Sequence, residues 1–385
     1  MIYLDNAAST PVHEKVIEEM LPYFREQYGN PSSIHRHGRL ANIAIQNARK
    51  RIAELINANS NEILITSGGT ESNNTAIYGI ASQSKGRHII TSSIEHDAIL
   101  EPCKRLEKNG YRITFLPVDK YGFVNLEDLK KEISDDTCLI TIMYANNEVG
   151  TIQPIKEISK IAREKNVVFH TDAVQAVGKI PIDVKELGVD LLSISSHKIN
   201  GPKGIGALYV KKGVKISPLM LGGGQERGLR SGTENVASIA GFGMACKLAN
   251  DNMNENTIHF KKLTTRLISR VLAEIPSTTL NGHPDMRIPN NTHFTFLGVS
   301  GEDLIIKLDE NKISASTGSA CSVKIQKASH VLKAMGFSHE QVTGSLRLTV
   351  GITNTEKEID ETVEVLKKVV QELRSVSPYK SKYNF

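Results

Sequence analysis

What this 385-residue chain lacks narrows it first. Its four cysteines, Cys103, Cys138, Cys246 and Cys321, lie far apart and form no Cys-x-x-Cys pair, which argues against a zinc knuckle, a thioredoxin-like redox site and a disulfide scaffold. Apolar runs such as Cys138-Leu139-Ile140-Thr141-Ile142-Met143 fall far short of the roughly 20 residues that span a bilayer, so no membrane association is expected. The opening Met1-Ile2-Tyr3-Leu4-Asp5-Asn6 has neither a basic nor an apolar leader region, and the expected location is the cytoplasm. The 47 Lys and Arg against 42 Asp and Glu leave a net charge of +5, with no block of about five like charges. No nucleic-acid footprint is expected from that balance.

What is present is a globular composition, 39% hydrophobic and 23% charged, on a length that suggests about two or three folding units. From about residue 60 to 210, buried-strand runs alternate with helical patterns: Ile63-Leu64-Ile65-Thr66, His88-Ile89-Ile90-Thr91, Leu139-Ile140-Thr141-Ile142, Val167-Val168-Phe169-His170 and Leu191-Leu192-Ser193-Ile194. This βαβα order predicts an open, mostly parallel α/β sheet with ligands at the carboxyl ends of its strands. Near residue 255 the pattern changes to a long helix carrying Leu263, Leu267, Val271 and Ile275 on one face, followed by strand-like pieces and a closing helix from Thr355 to about Leu373. The expected division is a large α/β domain over 12–255 and a smaller α+β domain formed by 1–11 with 256–385.

The polar residues after each run carry the chemistry. Ser67-Gly68-Gly69-Thr70-Glu71-Ser72-Asn73 opens a helix, where Gly69 and Thr70 read either as a phosphate cradle or as a plain capped helix start. It is not a Walker loop, because no Lys follows at the required spacing. His96, in Ser93-Ile94-Glu95-His96-Asp97, sits where an imidazole can lie on an aromatic cofactor ring or simply begin a helix. Asn147, in Tyr144-Ala145-Asn146-Asn147-Glu148, belongs either to a ligand loop or to a tight asparagine turn. Asp172, with Gln175 three residues on, suits the protonated nitrogen of a pyridine ring, or an N-cap.

Lys198 follows the next strand, in Ser195-Ser196-His197-Lys198-Ile199-Asn200-Gly201. A lysine becomes a nucleophile when desolvation or a nearby cation disfavours its charge, and a strand end against a bound cofactor supplies that setting. A phosphate cradle, a ring-stacking group, a carboxylate and an amine in one frame are what pyridoxal phosphate needs together. Cys321 lies among small polar residues, Ser314-Ala315-Ser316-Thr317-Gly318-Ser319-Ala320-Cys321-Ser322, and reads as an exposed reactive thiol; Cys103, Cys138 and Cys246 read as buried small hydrophobes. Arg347, alternating with apolar residues on a strand, serves either a substrate carboxylate or the surface.

With those residues assembled, the chain resembles the group I, NifS/IscS-like cysteine desulfurases of the fold-type I pyridoxal-phosphate enzymes. The resemblance runs from Tyr3-Leu4-Asp5-Asn6-Ala7-Ala8 to about residue 378, through Gly29-Asn30-Pro31, Gly69-Thr70-Glu71, Glu95-His96, Asn146-Asn147-Glu148, Asp172 with Gln175, His197-Lys198, Arg230-Ser231-Gly232-Thr233 and Gly318-Ser319-Ala320-Cys321. It implies a large mostly parallel-sheet domain plus a smaller α+β domain carrying the catalytic cysteine loop at about 314–328. By the same resemblance, Lys198 binds the cofactor covalently, His96 stacks on its ring, Asp172 holds its ring nitrogen and Gln175 its phenolic oxygen. Gly69, Thr70, Ser195 and His197 would hold the phosphate, joined by Thr233 from the partner of a homodimer. Asn147 would contact cofactor and substrate, Arg347 and Asn30 the substrate carboxylate, and Cys321 would be the nucleophile.

The implied reaction takes sulfur from L-cysteine, leaving L-alanine and a persulfide on Cys321. The expected partners are an iron–sulfur scaffold or another sulfur acceptor serving tRNA or cofactor thiolation, with Cys321 a transient iron–sulfur ligand and no other metal site. The alternatives are another fold-type I activity, such as a selenocysteine lyase or aminotransferase, and a weakly catalytic sulfur-carrier subunit. One departure stands out: Ser322-Val323-Lys324-Ile325-Gln326-Lys327-Ala328 precedes Ser329-His330, in place of the Leu-Glu-Pro or Leu-Gln-Pro usual there in this group.

Overall fold

Runs of β-branched and aliphatic residues buried on both sides need a sheet covered on both faces, and the chain builds one. The structure, a computed structural model, describes residues 1–317 and 328–377. Among these, seven strands form the main sheet in the order Ile63–Thr66, Gly206–Val210, Leu191–Ser195, Val168–Asp172, Thr137–Thr141, His88–Ser92 and Arg112–Leu116. All run parallel except Gly206–Val210, which is antiparallel to both its neighbours. Every residue of the strands beginning at Ile63, His88, Thr137 and Leu191 is buried.

One apolar layer, with Ile52, Phe169, Ile194 and Phe242, covers one face of the sheet; a second, with Ile77, Ile89, Ile99 and Leu208, covers the other. Phe169 and Phe242 are fully buried, each worth roughly 2–3 kcal/mol of transfer free energy. The helices Arg36–Leu55 and Val236–Asp251 cross at near backbone contact: a Cβ on Gly243 would lie 2.5 Å from the Ala48 Cα. Beneath the first strand Arg49 pairs with Glu226, whose carboxylate also accepts the Ile65 N–H at 2.9 Å.

A second apolar cluster joins the helices Met253–Glu274, Gly301–Glu310 and Glu356–Ser375 to the antiparallel sheet of Ser345–Thr349, Asn291–Phe296 and Thr278–Leu280. The start of the chain enters this cluster: Ile2–Tyr3 pairs parallel with Ile313–Ser314, and Ile2 and Leu4 are buried in it. Ile275, expected on the long helix, is the residue just beyond its end and is still buried. Two strands escape the hydrophobic-run reading. Arg112–Leu116 is a partly exposed edge with a charged start, and Gly206–Val210 begins Gly-Ala, so neither presents a long β-branched run. No helix of the described residues is long and apolar enough to cross a membrane.

Candidate active site

The parallel strands deliver their following loops to one edge of the sheet. After Ile63–Thr66 the chain turns through Gly68, at φ 149°, a conformation that side chains rarely adopt, and enters the helix Gly69–Gln83. A Cβ on Gly69 would lie 2.8 Å from Val174 Cγ2 and 3.6 Å from Ser195 Cβ, so the bare backbone is what lets this helix start against two other strand ends. Glu71 fixes the turn: its carboxylate accepts the Ser67 N–H at 2.7 Å and pairs with Arg230 at 2.9 Å. Thr70, in the first helical turn, is exposed on an open cleft that it shares with Asn74, Tyr78 and His96.

Asp172 ends its strand 7% exposed. One carboxylate oxygen accepts the Val174 N–H at 3.0 Å, the cap-like contact, and the other accepts from Asn73 Nδ2 at 2.7 Å. Asn73 was not picked out from the sequence, yet a buried amide in a helix otherwise lined with Ala76, Ile77 and Ile80 on its inner side is a signal for it. Gln175 donates from Nε2 to the Ala7 carbonyl at 3.0 Å, and its Oε1 is buried with no hydrogen-bond partner among the described residues. Lys198, half-buried in a short 3-10 turn, reaches the same place: Nζ donates to Ala7 O at 2.6 Å and Ala8 O at 2.7 Å. The N-terminal Ala7-Ala8 segment thus docks on the sheet edge between Gln175 and Lys198.

His197 is half-buried against Ser9, with Nδ1 3.3 Å from the hydroxyl; burial first, then the Lys198, Lys203 and Lys179 charges, push its imidazole down to about 4. A neutral ring there keeps both a donor and an acceptor. His96 is the N-cap of the helix Asp97–Glu107, its Nδ1 accepting the Ala98 N–H at 3.0 Å. Asn147 meets Arg347 through its carbonyl, which accepts from Nη1 at 2.8 Å, while Nη2 binds Asp5 at 2.8 Å. Arg347 is therefore no surface arginine: it is 2% exposed, and its Nε is buried without a partner among the described residues. Asn30 is exposed and holds its own turn, accepting the Ser32 N–H at 3.0 Å, and Thr233 is exposed; among the described residues neither hydrogen-bonds to this cluster. Cys321, with Gly318, Ser319 and Ala320 before it and Ser322 to Lys327 after it, lies outside the described residues. Cys103, Cys138 and Cys246 are buried.

Below Asp172, His170 bridges three strands, with Nδ1 2.8 Å from Thr141 Oγ1 and Nε2 2.9 Å from Ser193 Oγ. Complete burial pushes it down to about 3. The folded imidazole stays neutral while the unfolded one gains a proton below its ordinary value near 6.5, so the stability it lends is full above that pH and is lost as pH falls towards 3. At pH 5 the loss is about 2 kcal/mol. Urea unfolding of His170→Gln at pH 5 and pH 7.5, at matched cofactor loading, is expected to show a pH dependence weaker than wild type by that amount; equal dependence would refute it.

These groups fit pyridoxal phosphate. An amine, a buried carboxylate held by two donors, a buried amide oxygen without a partner among the described residues and a glycine turn at a helix start converge on one sheet edge, each matching one functional group of that cofactor. The family model described as aminotransferase class-V matches residues 2–362. A cysteine desulfurase IscS of Methanosarcina thermophila is 54% identical over 379 residues, 98% of this chain and 94% of that protein. A solved NifS-like protein superposes with a TM-score of 0.91 at 39% identity, covering 96% of this chain and 99% of its own. SspA, solved in complex with cysteine, superposes at 0.81 with 37% identity over 91% of this chain and 99% of its own. Matched over nearly its whole length in sequence and in fold, the chain belongs to the aminotransferase class-V family.

Proposed function

We infer that this chain is a pyridoxal-phosphate-dependent cysteine desulfurase, which converts L-cysteine and the thiol of Cys321 into L-alanine and a Cys321 persulfide. The observation that carries it is the convergence of Lys198, Asp172, Gln175 and the Gly68-Gly69 turn on one edge of the sheet, in a chain 54% identical to a protein of that name over 98% of its length. Lys198 would bind the cofactor covalently, His96 stack on its ring, Asp172 hold the ring-nitrogen proton and Gln175 its phenolic oxygen. Gly69, Thr70, Ser195 and His197, with Thr233 of the partner subunit, would hold the phosphate. When bound, the cofactor supplies an electron sink for negative charge at the substrate Cα.

The chain's own residues do the rest. Arg347 and Asn147 hold the substrate carboxylate, with Asn30 assisting. The Lys198 amine takes and returns the Cα proton. Cys321 as thiolate attacks the substrate sulfur: an S–S bond forms, the Cβ–S bond breaks, and the carbon ends protonated as alanine. The persulfide then passes to an acceptor, an iron–sulfur scaffold or a tRNA- or cofactor-thiolating enzyme, with Cys321 a transient cluster ligand in the first case.

The same reading makes the protein a cytoplasmic homodimer. The helix Glu14–Arg25 leaves Ile17, Leu21 and Phe24 exposed on one stripe, continued by Tyr28 in the following loop, an apolar face suited to a second copy. The large domain over 12–255 and the small one of 1–11 with 256–385 belong to it too, supported by the two separate apolar clusters and the Ile2 to Ile313 pairing. The test is direct: purified holoenzyme given L-cysteine is expected to release L-alanine and sulfide equimolarly in the presence of a reducing thiol. Pyruvate in place of alanine, or turnover confined to selenocysteine, would overturn the reading.

A further inference from the structure

The 146–150 turn is held from outside itself at four successive carbonyls. Arg347 Nη1 donates to Asn147 O at 2.8 Å, Asn291 Nδ2 to Glu148 O at 3.1 Å, Arg287 Nη2 to Val149 O at 2.9 Å and the Ile288 N–H to Gly150 O at 2.9 Å. From within, Asn146 Oδ1 accepts the Glu148 and Val149 N–H groups, and its Nδ2 donates to Ile94 O. A turn so completely bonded is a fixed platform, and one acidic side chain on it points inward. Glu148 is 2% exposed, and the hydroxyl of Ser329 donates to its Oε2 at 2.5 Å.

Burying a carboxylate is costly unless it is paired, and a leucine of similar volume would fill the space at less cost. Burial holds the Glu148 carboxyl above its usual range, against the pull of the Ser329 hydroxyl, His330 and Arg347. The neighbouring residue on the other side of this contact repeats the pattern: His330 Nε2 lies 2.9 Å from the carbonyl of Glu95, the residue before His96. Glu95 is itself locked, its carboxylate accepting from Ser92 Oγ at 2.6 Å and from the Met143 N–H at 2.9 Å, with burial pushing it up to about 8. Ile94, Met143 and Val149 pack against Val331, Leu332 and Met335 around these contacts. Ser329 and His330 therefore bond, side by side, to the two loops that carry Asn147 and His96. In sequence they lie eight and nine residues after Cys321.

We propose that Ser329 and His330 are positioning residues for sulfur transfer: through Glu148 and Glu95 they fix the chain that leaves Cys321 to the framework that sets the substrate-carboxylate and ring-stacking groups. The proposal rests on the desulfurase reading and adds to it an anchor, eight residues beyond Cys321 in sequence, on the turn that also carries Asn147. The Ala328-Ser329-His330 end of the segment needs no proline for this, because two side-chain bonds hold it.

The test uses the holoenzyme mixed rapidly with L-cysteine, reading persulfide on Cys321 by mass spectrometry and substrate binding by the change in cofactor absorbance. Ser329→Ala and Glu148→Ala are each expected to slow single-turnover persulfide formation about tenfold, the factor that one buried hydrogen bond supplies. Cofactor loading and the half-saturating L-cysteine concentration stay as in wild type, the double variant is no slower than either single one, and Ser329→Thr recovers most of the rate. Ser329 also caps the short helix His330–Ala334, accepting the Leu332 N–H at 3.1 Å. A defect in Ser329→Ala without one in Glu148→Ala would therefore assign the effect to the cap and overturn the proposal. So would wild-type rates in both, or losses that merely follow cofactor loading. A wild-type enzyme that forms no alanine would remove the desulfurase reading and this proposal with it, an outcome distinct from an active enzyme with indifferent variants.

Discussion

Lys198→Ala is expected to purify with no cofactor bound through a covalent link and to lose alanine formation by roughly a thousandfold or more, the scale of removing a positioned proton-transfer group and a covalent anchor together. Among the described residues, the geometry favours this amine over any other. Two main-chain carbonyls, Ala7 O and Ala8 O, accept from Nζ at 2.6 and 2.7 Å and aim it along the sheet edge. Lys179 is a neighbour, buried and pushed down to about 7 by desolvation and by the Lys198 charge. Its Nζ, however, points at the Lys198 carbonyl, 3.4 Å away, rather than at Ala7 and Ala8, in a partly open cavity lined also by Asn6, Asn200, Asn290 and Lys198 itself. Two ammonium groups in such surroundings repel each other, which favours an uncharged amine in the pair. Borohydride reduction followed by peptide mass mapping measures the link directly. Wild type should carry the added mass on the peptide containing Lys198, and the variant nowhere. An adduct on Lys179 in the variant, with turnover retained, would refute the assignment.

How much of this was legible in the sequence depends on whether a contact is local. Gly68-Gly69, His96 and Lys198 each follow a strand within a few residues and Asp172 ends one, so the alternation of buried runs and polar loops places them on one sheet edge without any structure. What the sequence hides is what crosses the chain. Asp5 and Arg347 are 342 residues apart, the Ala7 carbonyl and Lys198 are 191 apart, and Glu148 and Ser329 are 181 apart. Such bonds join a side chain to a distant backbone or carboxylate and leave no periodicity to read. Arg347 shows the consequence. Alternation with Leu346 and Leu348 leaves a strand arginine undecided between surface and site, and only the small sheet, which turns it inward against Asp5 and Asn147, decides it. The same limit hid Gly206–Val210, whose place between Ile63–Thr66 and Leu191–Ser195 is set by pairing rather than by its own composition.

Cys321→Ala should separate the two halves of the reaction. Cofactor loading, the borohydride adduct on Lys198 and the absorbance change on adding L-cysteine are expected to survive, because none of the groups assigned to them is altered. Alanine formation should fall by roughly a thousandfold, since the sulfur no longer has a thiolate to receive it. The chain holds three other cysteines that could in principle serve, and the structure disqualifies each. Burial raises the Cys103 thiol to about 12 and Cys138 to about 11, and complete burial holds the Cys246 thiol well above its ordinary value. At pH 7.5 a thiol of pKa about 11 is thiolate in only about one molecule in several thousand. Position compounds the handicap: Cys103 and Cys246 have no exposed surface, and Cys138, itself buried, sits at the start of its strand, at the opposite edge of the sheet from Lys198. The fold thus uses these three cysteines as small core residues, which supports the assignment of the thiol chemistry to Cys321 proposed above. Trapping the persulfide with an alkylating tag locates it: label on Cys321 in wild type and none in the variant is the expected pair of results. Label on Cys103, Cys138 or Cys246, or a variant that makes alanine at the wild-type rate, would show that the sulfur takes another route.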